Sequence, residues 1–155
     1  MPPRRSAGVL LYRRTPPGGV EVLIGHMGGP FWAARDEHGW SIPKGEHEPD
    51  DDPFAAALRE FEEEIGCPVP AEAFTSLGEL RGSKLLAVWA AEGDLDATAA
   101  RSNTFELEWP PRSGRMQSFP EIDRAAWFDL DTARAKLVKA QLPFLDRLAA
   151  SLADA

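Results

Sequence analysis

Residues 45–67 read Gly45-Glu-His-Glu-Pro-Asp-Asp-Asp-Pro-Phe-Ala-Ala-Ala-Leu-Arg-Glu-Phe-Glu-Glu-Glu-Ile-Gly-Cys67. Asp52-Pro53 predicts a helix start, an N-cap carboxylate followed by proline at the first helical position. Gly66 predicts its end, with Pro68 just beyond. At about 100° per residue, Phe54, Leu58, Phe61 and Ile65 fall on one narrow face, the expected buried stripe. Glu60, Glu63 and Glu64 are spaced i, i+3, i+4 and cluster on another face. Like charges at these spacings repel by about a few tenths of a kcal/mol per pair. Glu63 and Glu64 also sit in the last turn, where the helix dipole disfavours anions. Helix stability does not select this arrangement, whereas a hard divalent cation, which wants several carboxylate oxygens, does. The plainer reading is a solvated acidic face.

Working outward, residues 46–64 hold nine carboxylates against Arg59 alone, so the whole formal charge of −8 sits in this stretch. A general solubility charge would be dispersed instead. The acidic balance also argues against a nucleic-acid partner, which calls for a net basic face. With 155 residues, 43% of them apolar, the chain reads as one domain over 1–155 with a real core. Cys67 is the only cysteine, which excludes an intrachain disulfide. The apolar run Val9 to Tyr12 is too short for a secretory leader, and no stretch approaches a membrane span, so cytoplasm is the expected location.

Ala7–Tyr12 and Val20–Ile24 predict a hairpin across Thr15-Pro-Pro-Gly-Gly19. Residues 25–39 read as a loop, and Trp40–Ile42 as a brief strand ended by Pro43. After the helix, strands are expected around Phe74–Leu80, Lys84–Ala91 and Thr104–Trp109, then a Pro/Gly/Arg loop over 110–120 and a last strand at Ala125–Phe128. Helices are expected at Asp131–Lys139 and Phe144–Leu152, broken near Pro143.

The quoted stretch resembles the signature of the Nudix hydrolases, Gly-x5-Glu-x7-Arg-Glu-U-x-Glu-Glu-x-Gly-U, where U is bulky and apolar. Six of the seven fixed positions match, at Gly45, Arg59, Glu60, Glu63, Glu64 and Gly66. With usage of roughly 7% per residue type, six such matches arise by chance about once in ten million positions. Asp51 stands where the signature has Glu, one methylene shorter. Phe61 is large and Cys67 small for their apolar positions, which reads as packing adjustment. The resemblance implies an α/β fold, an α/β/α sandwich with a mixed sheet between helices. It implies hydrolysis of a diphosphate linkage in a nucleoside diphosphate derivative, with Mg²⁺, or Mn²⁺ as a substitute.

By the motif match, Glu60, Glu63 and Glu64 are metal ligands, joined by the backbone carbonyl of Gly45. Arg59 is expected to orient a helix carboxylate through a bidentate pair. The general base is a motif glutamate or a later carboxylate, with Glu121 the candidate and Asp123 its competitor. Lys44, Arg81 and Lys84 are candidate phosphate contacts, with Arg112 and Arg115 further off, although exposed basic residues are commonly just solvated. Tyr12, Phe31, Trp32, Trp40 and Trp89 are available for base stacking, several of them necessarily core. His26, His38 and His47 show no metal spacing and are expected in loops or on the surface, and Cys67 is expected to be a packing residue.

The run Trp40-Ser-Ile-Pro-Lys-Gly-Glu-His-Glu-Pro49 is similar to the motif entry of dinucleoside polyphosphate hydrolases, which favours a dinucleoside polyphosphate or a (d)NTP. The alternatives are an RNA 5′-pyrophosphohydrolase and a silent nucleotide sensor. An intact glutamate set speaks against the sensor. The sequence is compatible with a monomer or a homodimer.

Overall fold

The computed structural model describes residues 4–154. In chain order the elements are β1 (Arg4–Thr15), β2 (Gly19–Met27), β3 (Trp40–Ser41), β4 (Lys44–His47), α1 (Pro53–Ile65), β5 (Phe74–Arg81), β6 (Lys84–Glu92), β7 (Thr104–Glu108), β8 (Met116–Pro120), β9 (Ile122–Asp129), α2 (Leu130–Lys136) and α3 (Leu142–Ala153). Among the described residues, no helix is long and apolar enough to cross a membrane.

The predicted hairpin forms, with β1 and β2 paired from Tyr12↔Val22 to Thr15↔Gly19. Beyond Tyr12 and Val22 the two strands part. The opening is filled by β4, which pairs with β1 (Ala7↔Gly45, Gly8↔Lys44), and by β3, which pairs with β2 (Gly25↔Ser41). β6 runs parallel to β1 on its other side, β5 lies antiparallel outside β6, and β9 flanks β2. The sheet is therefore mixed, as the resemblance implied.

Strict alternation sends side chains to two cores. Val9, Leu11 and Leu23 meet Ala57, Phe61 and Ile65 beneath α1. Leu10, Val22 and Ile24 meet Phe144, Leu145 and Leu148 beneath α3. Fully burying each large side chain contributes about 1.5–3 kcal/mol, which makes these two layers the main source of stability. The result is the expected α/β/α sandwich.

Four expectations need correction. Residues 44–47 carry no apolar alternation and were not expected to be a strand; the pairing comes from β1, a partner distant in sequence. β2 continues to Met27, so His26 is a buried strand residue, 4% exposed, and not a loop or surface histidine. Residues 110–120 are not one loop, because Met116–Pro120 folds back on β7 as a separate two-stranded sheet that sets Phe105 opposite Phe119. Pro143 lies in the first turn of α3, where a missing N–H costs nothing, and α2 ends earlier, at Lys136.

Candidate active site

The helix α1 is built as its sequence dictates. Asp52 accepts a hydrogen bond from Ala55 N–H at 3.2 Å, and Gly66 ends the helix at φ 95°, where its N–H reaches the Glu62 carbonyl at 2.8 Å. Two further carbonyls of the last turn are taken by a distant segment. Arg101 N–H donates to the Ile65 carbonyl and Asn103 N–H to that of Glu63, each at 2.8 Å. Asn103 in turn accepts from Glu121 N–H at 2.8 Å, and Gly28 N–H donates to the Glu121 carbonyl at 3.0 Å. The end of α1 and Glu121, far apart in sequence, are thus tied by a continuous run of backbone hydrogen bonds.

These ties create a cleft of about 290 Å³ whose lining includes Glu60, Glu63, Glu64, Glu121, Lys44 and Gly45. The three helix glutamates and Glu121 all line it. Lys84 and Glu46 also line it, held together at 3.6 Å. Arg81 does not reach it and stands at a neighbouring cavity. Arg112 and Arg115 lie on the β7–β8 turn.

The burial of the helix is not the one predicted. Phe61 and Ile65 are buried, whereas Phe54 and Leu58 are only half-buried. Ala56, Ala57 and Glu64 join the buried set. Glu64 stands seven residues after Ala57 and three after Phe61, so helical geometry returns it to the inward face. One of its oxygens accepts Lys44 N–H at 3.0 Å. Burial pushes the Glu64 carboxyl up to about 8; Lys44 opposes the shift, and the nearby charges of Glu60 and Glu121 add to it. Glu60 is raised as well, first by burial and then by Glu63.

Gly45 explains itself by contact. A Cβ there would lie 1.6 Å from the Glu60 carboxylate, so only glycine lets that carboxylate rest against the strand. Arg59 contacts Glu60 once, Nε to Oε2 at 3.5 Å, with its side chain half-exposed, so the expected bidentate pair is not formed. Asp51 accepts Glu48 N–H at 3.0 Å, and its own N–H reaches the Glu48 carbonyl, so it braces the loop.

Asp123 drops out of the cleft because it bonds His26 Nδ1 at 2.8 Å, while His26 Nε2 meets the Arg35 carbonyl at 2.7 Å. Among the aromatics, Trp40 is core and bonds Asp36, Trp89 packs on Phe54, and Tyr12 packs against the α3-side core. Trp32 alone of the five lines a side opening of about 150 Å³ beside Lys44, Glu64 and Glu121. Phe105 joins it there and was not singled out from sequence; its alternation within Thr104–Trp109 was the available signal. Cys67 is a free thiol packed at the α1-side core, as expected.

Among the described residues, no three His, Cys, Asp or Glu side chains are already gathered around one point in a metal-holding group. The carboxylates instead share the cleft while leaning on Lys44 N–H, Gly45 and Arg59. The donor set nevertheless fits a hard divalent cation. It consists of oxygens, it is partly desolvated, and its members raise each other's proton affinity, the electrostatic condition that a cation relieves.

Known proteins resemble this chain in sequence and in fold. The NUDIX domain family matches residues 2–148. An RNA pyrophosphohydrolase of Rhodospirillum rubrum is 30% identical, over 98% of this chain and 93% of that protein. Among solved structures, a C. elegans Ap4A hydrolase binary complex superposes with TM-score 0.66 at 23% identity, covering 97% of this chain and 100% of that one. The NUDIX domain of Shewanella oneidensis NrtR, complexed with ADP ribose, gives TM-score 0.67 at 16% identity, covering 98% and 90%. The chain belongs to the Nudix family, and with that family's chemistry it is a hydrolase of phosphoric anhydrides.

Proposed function

We propose that the chain, as a single domain working in the cytoplasm, hydrolyses a diphosphate linkage in a small nucleoside polyphosphate, a dinucleoside polyphosphate or a (d)NTP. The observation that carries this reading is the meeting of four carboxylates from two distant segments with Lys44 in one cleft. Glu60, Glu63, Glu64 and the backbone of Gly45 would hold Mg²⁺, or Mn²⁺ in its place. Such a cation, when bound, neutralises phosphate oxygens and lowers the pKa of a water molecule.

The rest falls to the chain itself. Lys44 and Lys84, on the cleft rim, draw the anionic substrate toward an otherwise acidic site. Glu121, held by its own backbone at both N–H and carbonyl, stands across the cleft from α1 and takes the proton of the attacking water. Glu64 fixes the strand that carries Lys44. Arg59 acts as a positioning residue for Glu60.

A second reading, RNA 5′-pyrophosphohydrolysis, is favoured by the β7–β8 hairpin. Met116 is 60% exposed at its end, and Phe31, 69% exposed, packs edge-on against Trp109. Arg112 and Arg115 lie on the same turn. Exposed apolar and aromatic side chains with arginines are the means by which proteins hold single strands. The curated relative from Rhodospirillum rubrum carries that activity in its name.

A substrate panel decides between the two. It comprises dinucleoside tetra- and triphosphates, canonical and oxidised (d)NTPs, ADP-ribose, nucleotide sugars and 5′-triphosphate RNA, each with Mg²⁺ and with Mn²⁺. Turnover of free nucleotides above RNA is the expected result, and no turnover of any member overturns the reading. Glu63→Gln is expected to lower kcat at least about a hundredfold, the scale of one lost electrostatic contact in the transition state. A full-rate Glu63→Gln removes that residue from the site.

A further inference from the structure

His26 is a buried polar side chain that the hydrolytic reading leaves unused. Both of its ring nitrogens face oxygen. Nδ1 stands 2.8 Å from Asp123 Oδ1, and Nε2 stands 2.7 Å from the Arg35 carbonyl oxygen. An ionised carboxylate and a carbonyl only accept, and a neutral imidazole carries a single N–H. Making both bonds therefore takes hydrogen on both nitrogens, which is the imidazolium. A buried cation needs a counter-charge, and Asp123 supplies it. His38 and His47 differ, because Nδ1 of each meets one carbonyl, which one N–H satisfies.

The other charges around the ring are already matched. Trp40, from β3, lies edge-on to His26 at 5.4 Å between centroids. Asp36, in the loop, accepts Trp40 Nε1–H and pairs with Arg124 of β9 and Lys136 of α2. The Arg35 guanidinium lies over Trp32. Asp123, from β9, is the carboxylate left for His26. What His26 holds in return is the loop between β2 and β3. Trp32 N–H donates to the Gly29 carbonyl at 3.2 Å, and Arg35 N–H to that of Trp32 at 2.9 Å. Among the described residues, the Arg35 carbonyl on His26 is the only hydrogen bond from residues 29–35 to the rest of the fold. Gly39 is fitted to that carbonyl, since a Cβ there would lie 2.2 Å from its oxygen. The turn so anchored carries Trp32, which lines the opening of about 150 Å³ beside Lys44, Glu64 and Glu121.

We propose that His26 works as an imidazolium whose Nε2–H clamps the Trp32 turn beside Glu121, which makes it a positioning residue for substrate binding at that opening. If the ring gives up one proton to solvent, Asp123, the charged acceptor, keeps the Nδ1 hydrogen. Nε2 then turns a lone pair toward the Arg35 carbonyl, so the turn's one outward hydrogen bond becomes a repulsion. Trp32 is released, while Glu121 keeps its place, because its backbone is held separately by Gly28 and Asn103. Losing the clamp therefore weakens binding and spares the chemical step. The clamp itself requires no catalysis; its bearing on substrate rests on the hydrolytic reading given above.

The test is ¹⁵N spectroscopy of the histidine rings and backbone amides of the full chain, without metal, as pH is raised from 7. At pH 7 the His26 ring is expected to show two protonated nitrogens. The amides of Trp32 and Arg35 are expected to shift in step with any loss of the Nε2 hydrogen. Asp123→Asn removes the counter-charge, so ring and turn should change together at lower pH than in the wild type. His26→Gln, measured at pH 7 with saturating Mg²⁺ on the best panel substrate, is expected to raise KM about tenfold, the scale of one lost charge-assisted hydrogen bond, with kcat within a fewfold. A purely structural histidine would lower the melting temperature in both variants and leave KM unchanged. A His26 ring with a single N–H at pH 7, turn amides that ignore the ring, or an unchanged KM overturns the proposal. If His26→Gln does not fold, Asp123→Asn, altered at a side chain 36% exposed, carries the test, and a ring and turn that fail to move together in it overturn the proposal. The spectra need no turnover, so the two readings fail separately. A chain inactive on the whole panel with a doubly protonated His26 and a turn that follows it keeps the clamp and loses the chemistry. An active chain with a neutral His26 does the reverse.

Discussion

The acids before α1 and the acids near its end are the same residue types, about ten positions apart, in opposite physical states. Glu46, Glu48, Asp50 and Asp52 are exposed, and Asp51 and Asp52 spend their oxygens on local backbone N–H groups. Glu60 and Glu64 are desolvated, and burial raises the proton affinity of both. The first group costs the fold little, because water and loop N–H groups solvate it. The second costs stability in the metal-free chain, and that cost is recovered only if something positive enters. A formal charge of −8 therefore hides two populations, one that shapes a loop and one that waits for a cation.

This contrast can be broken at Glu121, which joins the helix acids in the cleft, and at Asp123, which faces His26. Glu121→Gln is expected to lower kcat by about 10²–10⁴-fold, the range of a lost general base, with a smaller change in KM. Asp123→Asn is expected to hold kcat within a fewfold of wild type and to lower the melting temperature, since it leaves His26 with a weaker partner. Steady-state kinetics on the best panel substrate reads both. A full-rate Glu121→Gln transfers the role of base to a motif glutamate.

Much of this division was legible before the fold was known. The N-cap, the Gly66 stop and the coincidence of Glu60, Glu63 and Glu64 all follow from spacing within one helix. Local pattern failed where the deciding partner lies far away in sequence. β4 exists because β1 and β2 part and leave an edge to fill. Glu64 is buried because the strand carrying Lys44 packs over it. His26 reads as a polar residue after an apolar run, and only Asp123 and the Arg35 carbonyl, one of them 97 positions away, make its burial tolerable. The link from α1 to Glu121 through Arg101 and Asn103 left no trace in periodicity, because it is made entirely by backbone groups.

The contrast sharpens with pH. The Glu64 carboxyl is raised by burial to about 8, from an ordinary value of 4.5. A raised carboxyl favours the protonated folded state, so its contribution to stability is fully present below about pH 4.5 and is lost as pH climbs toward 8. In chelator, Glu64→Gln is expected to melt roughly 3–6 °C above wild type at pH 8.5 and with no advantage at pH 4.5. Added Mg²⁺ should raise the wild type toward the variant and leave the variant less affected. Thermal melts at the two pH values, with and without the cation, measure this. A variant that melts below the wild type at pH 8.5 would show that Glu64 is solvated and belongs with the loop acids.

The smallest effect is expected on the other side of the comparison. Asp52 is exposed, and its side chain's one structural task is to accept Ala55 N–H in the first turn of α1. Asp52→Ala removes a cap worth about 1 kcal/mol, so the melting temperature should fall by roughly 2–4 °C. It should leave kcat unchanged, since the cleft is tied to the far end of the helix through Arg101 and Asn103 and not to its start. If kcat instead fell with the cap, the start of α1 would be coupled to the chemistry and the two acidic populations would be one. Pairing Asp52→Ala with Glu64→Gln gives the sharpest form of the test. The sites lie twelve residues apart and share no hydrogen-bond partner, so their effects on melting should add, one lowering and one raising it at pH 8.5.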